Sequence, residues 1–151
     1  MTTVSDAADV VVRRARFGDL RAVALLQRRA FPKLLAYHLP ALTFLKLVPG
    51  VVFLVAVSGD KIVGNAIGDY QGDKSRLINI AVDPDRQGQG IGTTLLREIN
   101  HALPYADLVL LVQAENERAA RLYTREGFVP DGPAPDYYGK GRDGVWMRKR
   151  R

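Results

Sequence analysis

Residues 80–96 read IAVDPDRQGQGIGTTLL, and the change of character within this stretch decides what the rest of the chain builds. Ile80, Ala81 and Val82 end an apolar run that begins at Arg76 and reads as a strand. Gln87-Gly88-Gln89-Gly90-Ile91-Gly92 is a glycine-rich loop, after which Ile91, Leu95, Leu96 and Ile99 recur at helical spacing until Pro104 stops them. A strand that passes through three glycines into a helix can turn successive backbone N–H groups into one concavity. Unpaired amides and the positive end of the helix dipole make such a place favourable for phosphate oxygens. Neither common phosphate motif is present: Thr93 stands where a dinucleotide fingerprint needs its third glycine, and no Gly-Lys-Ser/Thr occurs in the chain.

Working outward, DLVLLVQ (107–113) is a second strand, so 76–113 is a strand–helix–strand unit whose crossover makes its two strands parallel. Upstream, VVFLVAV (51–57), KIVGNAIGDY (61–70) and RLINIAV (76–82) are joined by turns too short for a crossover and predict an antiparallel meander. DVVVRRAR (9–16) predicts a strand, and Gly18-Asp19 a break with Asp19 as helix N-cap. Leu20, Val23, Ala24, Gln27, Ala30 and Phe31 then form one helix face, ended by Pro32. Residues 33–48 read as a leucine-rich helical segment that Pro40 bends or divides. Downstream, Asn116 caps a helix over 117–126 with Gly127 just past its end, DGPAPD (131–136) reads as a loop, and 144–149 as a closing strand. The expectation is one α/β (α+β) domain over residues 1–151, a mixed and mostly antiparallel sheet with helices on both faces, with 148–151 a frayed basic tail.

Composition removes several classes of chemistry. The 151 residues contain no cysteine, which excludes disulfides, thiolate catalysis and Cys-ligated metals, and His38 and His101 are the only histidines, so no metal site is expected. The longest apolar run, 51–57, is far short of the ~20 residues of a membrane helix, and Asp6 and Asp9 stand where a signal peptide would carry positive charge. A cytoplasmic protein with no membrane partner is the expectation. The net charge of +6 is uneven: residues 51–140 hold 9 basic and 12 acidic groups. A phosphate ligand would therefore rely on the local dipole of the glycine loop, with Arg86 adding one positive group. Aromatic and basic residues do not interleave along a strand, so direct nucleic-acid binding is not expected.

Two blocks, IAVDPDRQGQGIGTTLL (80–96) and AENERAARLYTREGF (114–128), resemble the acetyl-CoA loop and the following helix of the GNAT (Gcn5-related) N-acetyltransferases. Gln87, Gly90 and Gly92 match the family's Q/R-x-x-G-x-G/A element. The resemblance implies a sheet splayed between 76–82 and 107–113, with acetyl-CoA in the gap as donor, no metal, and direct attack on the thioester by a primary amine. It further implies that Ile80, Ala81 and Val82 offer backbone to the pantetheine arm, an amide near Val82 meets the oxyanion, and Gly88, Gln89, Gly90, Ile91, Gly92 and Thr93 hold the pyrophosphate. Asn116 would bond pantetheine and Tyr123 the thioester sulfur. The residues agree on their own terms: Asn116, Ala119, Ala120 and Tyr123 fall on one helical stripe, two alanines leaving a shallow groove between two polar groups. A phenol there is suited to protonating a departing thiolate.

The ending DYYGKGRDGVWMRK (136–149) is similar to that of the ribosomal-protein alanine N-terminal acetyltransferases, which implies that Tyr137 and Tyr138 line the acceptor, a peptide N-terminus. The family often forms homodimers, and the sequence leaves that open. In this chain the strand positions where relatives often carry a general base hold Arg76 and Leu111, neither able to take a proton from an ammonium. Asp69, Asp136, Tyr138 and His38 are the other candidates for a base, and Arg76 becomes a candidate acceptor contact able to hold a carboxylate. Two alternatives stay open: an enzyme for small amines such as a polyamine, an antibiotic or an amino acid, and a module that binds acyl-CoA without turnover.

Overall fold

The computed structural model describes residues 9–150, which form a seven-stranded sheet and four α-helices. In chain order these are β1 (Val10–Arg14), α1 (Leu20–Ala30), α2 (Leu39–Leu47), β2 (Val52–Ser58), β3 (Lys61–Gln71), β4 (Lys74–Val82), α3 (Ile91–Ala102), β5 (Asp107–Gln113), α4 (Glu117–Arg125), β6 (Val129–Ala134) and β7 (Gly144–Arg150). The sheet order is β1-β2-β3-β4-β5-β7-β6, and only the β4–β5 pair is parallel. The meander and the strand–helix–strand crossover form as the turn lengths require.

The continuous apolar run in β2 has a simple cause. Val52, Leu54 and Ala56 face a core shared with α3, while Phe53 and Val55 face a second core under α1 and α2. Both faces of the central strands are covered, so alternation between polar and apolar residues disappears. Helix α3 sits close on the sheet because β3 offers glycine: a Cβ at Gly64 would lie 2.8 Å from Leu95 Cδ1 and 3.0 Å from the Ala81 carbonyl oxygen.

Four expectations are corrected. Asp19 does not cap α1 through its side chain; its carboxylate accepts from the Arg16 amide at 2.7 Å and pairs with Arg13, closing a short 3-10 turn over Phe17–Asp19 that leads into the helix. Pro40 neither bends nor divides a helix but starts one, at a first-turn position of α2 where its missing N–H costs nothing. The segment expected as the loop 131–136 is largely strand β6; Pro130 and Pro133 are tolerated because β6 is the sheet edge, with a register shift between them. Finally, Arg148, Lys149 and Arg150 are not frayed: they complete β7 opposite Val109, Leu108 and Asp107, where the Asp107 carboxylate binds the Arg148 guanidinium. Arg151, like residues 1–8, lies outside the described residues.

Candidate active site

β4 and β5 pair only from Lys74 opposite Asp107 to Leu77 opposite Leu110. Past that rung, residues 79–82 keep partners in β3 alone and residues 111–113 in β7 alone. The cause lies in β4. Gly68 opposes Leu77 and Ile67 opposes Asn79, so Ile78 is an extra residue, a bulge that bends and twists the strand away from β5. The strands diverge into a cleft of about 1510 Å³. Backbone groups on the facing edges have lost ladder partners and are left for water or a ligand.

At one end of the cleft is the glycine loop. Gly88 and Gly90 sit at φ of +79° and +85° on either side of Gln89, an alternation that turns neighbouring amides to one side. Gly90 is the N-cap of α3 and has no side chain to cap it, so the first-turn amides stay available. The Ile91 side chain is buried in the core, which pins the helix mouth while its backbone lines the cleft. The loop is tied down at Asp83, 1% exposed, whose carboxylate accepts from the Asp85 amide at 2.9 Å and from Arg29 at 2.9 Å.

Arg86 spends its donors on the protein: Nε on Gln89 Oε1 at 2.7 Å, and the other nitrogens on Ser58 and Asp9. Gln89 is accordingly drawn aside and, alone among the candidate site residues, does not line the cleft. The expectation that the acidic middle of the chain leaves only a dipole for an anion is overturned. Several of its acids are held in pairs, among them Asp69–Arg76, Asp83–Arg29 and Glu126–Arg97. Among the described residues the cleft lining contains no Asp or Glu, and it contains Arg118, Arg121 and Arg125, one stripe of α4, of which Arg121 pairs with Glu117 at 3.8 Å.

Asn116 Oδ1 accepts from the Ala119 amide at 3.1 Å and caps α4, which leaves its Nδ2 as a donor at the cleft wall. Tyr123, 6% exposed, is held edge-on against Phe128 at 5.7 Å between centroids. Its hydroxyl has no partner among the described residues. Burial, with Tyr138 nearby, pushes its phenol well above the ordinary tyrosine range, so it stays protonated throughout neutral pH. The phenol therefore meets the cleft in its neutral, proton-bearing form.

Tyr37, Tyr137 and Tyr138 also line the cleft as neighbours of one another, with Tyr138 near Tyr123. The rings of Tyr137 and Tyr138 meet edge-on at 5.1 Å, and the Tyr138 hydroxyl donates to the Leu111 carbonyl at 3.3 Å. Tyr37 was not legible in the sequence. It is presented by the α1–α2 connection, where its amide donates to Gln27 Oε1 at 3.3 Å. Gln27, fully buried, also donates to Asn65 Oδ1 at 2.9 Å and Asn79 Oδ1 at 2.8 Å, joining α1, β3 and the bulged part of β4 in one amide network. The available signal was a glutamine on an otherwise apolar helix face.

The candidate bases fare unequally. Asp69 lies directly opposite Arg76 and grips it with two bonds, Nε–Oδ1 at 2.8 Å and Nη2–Oδ2 at 2.6 Å. Arg76 lines the cleft, where it was expected as an acceptor contact able to hold a carboxylate, with its charge already answered by Asp69. Asp136 is away from the cleft, accepting from the Gly141 amide at 2.7 Å at a turn where its φ is +55°. In Tyr138, burial and the neighbouring phenols raise the pKa, the wrong direction for a base. His38 is exposed at the rim.

A split sheet with an amide nest at one strand end defines a class of acyl-transfer fold, and the comparisons with known proteins say which. The family described as acetyltransferase (GNAT) domain matches residues 49–130. An uncharacterized N-acetyltransferase of Methanocaldococcus jannaschii is 30% identical over 146 residues, 94% of this chain and 92% of that one. The [ribosomal protein bS18]-alanine N-acetyltransferase of Escherichia coli is 40% identical over 81 residues, 52% of this chain and 55% of the enzyme. The crystal structure of the ribosomal-protein-S18-alanine N-acetyltransferase from Escherichia coli superposes with a TM-score of 0.81 at 27% identity, covering 93% of each chain. A paia N-acetyltransferase of Thermoplasma acidophilum, solved in complex with coenzyme A, shares the fold at a TM-score of 0.80 and 18% identity, covering 94% of this chain and 99% of that one. The chain belongs to the GNAT family of N-acetyltransferases.

Proposed function

We propose that the protein moves an acetyl group from acetyl-CoA to the α-amine of a polypeptide N-terminus, residues 1–151 acting as one acetyltransferase domain in the cytoplasm. The observation that carries this reading is the convergence on one cleft of an amide nest, Asn116, the protonated Tyr123 and three further tyrosines. The residues present fit the donor: two positive-φ glycines and an uncapped helix start for a pyrophosphate, α4 arginines for further phosphate charge, and a free Asn116 amide for pantetheine. When bound, acetyl-CoA supplies a thioester open to attack by an amine.

The chain's own contributions are positioning and proton supply. Past the last β4–β5 rung, the backbone groups of β4 that point away from β3 have no ladder partner and are available where negative charge would develop on the acetyl carbonyl. As the C–S bond breaks, the Tyr123 hydroxyl gives its proton to the leaving sulfur, and the proton that the attacking nitrogen sheds on becoming an amide restores the phenol through water. With Asp69 and Tyr138 unsuited to take a proton, the acceptor enters as its neutral fraction. An α-amine of pKa about 8 loses about tenfold at pH 7, whereas a lysine amine near 10.4 loses over a thousandfold. That arithmetic favours peptide N-termini, the acceptor class for which the bS18 relatives are named.

The test is CoA release from acetyl-CoA with three acceptors: a peptide with a free N-terminus and no lysine, an N-blocked peptide with one lysine, and spermidine. The proposal expects turnover with the first alone. Turnover confined to spermidine would replace it with the small-amine reading, and tight acetyl-CoA binding without release in any mixture would leave a binding module.

A further inference from the structure

We infer that the acceptor is a polypeptide with acidic residues following its amine terminus, which run out of the cleft past His38 into a basic groove on α1; this rests on the N-terminal reading and narrows it. A second cavity of about 790 Å³ adjoins the acceptor end of the cleft. Ala36 and His38 line both, so the two cavities meet at the α1–α2 connection that presents Tyr37 inward. An acceptor that ended at its amine, as a polyamine or amino acid does, would have no use for the second cavity. A chain continuing beyond the tyrosines would enter it.

The chemistry of that groove is one-sided. Arg21, Ala24, Leu25 and Arg28 repeat at helical spacing along the outer face of α1, and Lys33 closes the far side. No Asp or Glu lines the groove among the described residues. The contrast with neighbouring cations is what gives this weight. Arg13 is paired with Asp19, Arg29 with Asp83 and Asp85, and Arg76 with Asp69. Arg21, Arg28 and Lys33 make no ion pair with any described residue, and all three are exposed. Leu25, 59% exposed, lies among them as an apolar floor for an extended backbone. Three unanswered cations beside a cleft that itself lacks acids select for carboxylates in the entering chain and against lysine- or arginine-rich termini.

The experiment compares peptides with one common N-terminal tripeptide followed by four Glu, four Gln or four Lys, without other amines except in the last. The expected order of kcat/KM is Glu over Gln over Lys, the Glu-to-Gln ratio being about fivefold to tenfold, carried in KM and shrinking as salt is added. In the double variant Arg21→Glu/Arg28→Glu, both sites being surface positions, the ratio falls to one or inverts; Lys33→Glu alone reduces it. Equal kcat/KM for the three peptides, a preference for Lys, or a Glu preference that survives the double variant would overturn the inference while leaving N-terminal transfer intact. No turnover of any peptide beside turnover of a small amine would overturn the N-terminal reading, and this inference with it.

Discussion

Leu77 and Leu110 form the last rung between β4 and β5, and the residue after Leu77 is the unopposed Ile78. The bulge has a second effect beyond opening the cleft. With one residue extra, Ile78 and Asn79 both turn toward α1, so Ile78 packs into the core under that helix while Asn79 meets Gln27. The same irregularity therefore separates the strands at the cleft and ties the separated strand to the helix whose following loop carries Tyr37.

The glycine loop should fail sharply when its left-handed position is occupied. Gly90→Val places a β-branched residue at φ +85°, a conformation that costs an ordinary L-residue about 1–2 kcal/mol and a branched one more. Acetyl-CoA affinity by calorimetry is expected to fall at least tenfold. Gly88→Ala, where a Cβ meets nothing within 4 Å, should lose less, through strain alone. Unchanged affinity in a folded Gly90→Val protein would remove the loop from the donor site.

Tyr123→Phe keeps the ring against Phe128 and removes only the hydroxyl. The melting temperature and acetyl-CoA affinity should hold while kcat falls by ~10² to 10⁴. Wild-type turnover would make Tyr123 a packing residue.

Gln27→Leu tests the buried network. It leaves the amide groups of Asn65 and Asn79 and the Tyr37 N–H short of a partner, at about 1–3 kcal/mol. At this chain length that is a fall of roughly 2–4 °C in Tm per kcal/mol. Acceptor KM should rise as the Tyr37 loop loosens, with acetyl-CoA affinity unchanged. A loss confined to Tm would make the network purely structural.

Acid should unfold the protein through its anchored carboxylates. Burial alone would raise Asp83, yet the Asp85 amide and Arg29 outweigh it and hold the carboxyl below its ordinary range. Bonds from Arg13, Arg97 and Arg148 lower Asp19, Glu126 and Asp107 in the same direction. Because the folded values are depressed, this stabilisation is complete above the unfolded range of about 4 and is lost as pH falls through the lower folded values. Asp83→Asn should cost about 2 kcal/mol at pH 7 and flatten the acid limb of a Tm-versus-pH plot. An acid limb identical to wild type would show that Asp83 does not anchor the loop.

The parts of the fold written in local spacing were legible: the meander in its short turns, the crossover in strand–helix–strand order, and part of the cleft lining in Gly88, Gly90 and the Asn116–Tyr123 stripe. What depends on distant partners was not. Whether Asp69 is a base or a counter-ion is decided by Arg76 lying opposite it on β4, seven positions later. Arg86 looked like a phosphate ligand because Ser58 and Asp9 are remote in sequence. Tyr37 and the bulge at Ile78 leave no local pattern, since one is placed by Gln27 and the other is only a register between strands. β6 was hidden by its prolines, which an edge strand tolerates.

The central claim is transfer to an α-amine with no protein base, and one measurement addresses it directly. A peptide carrying both a free N-terminus and an internal lysine would be incubated with acetyl-CoA across pH 6 to 9, the acetylated amine located by fragmentation mass spectrometry and kcat/KM followed at subsaturating peptide. The account predicts acetyl on the N-terminal nitrogen alone, with kcat/KM rising about tenfold per pH unit and levelling near the α-amine pKa of about 8. Acetyl on the lysine, or a profile already flat well below that pKa, would contradict it.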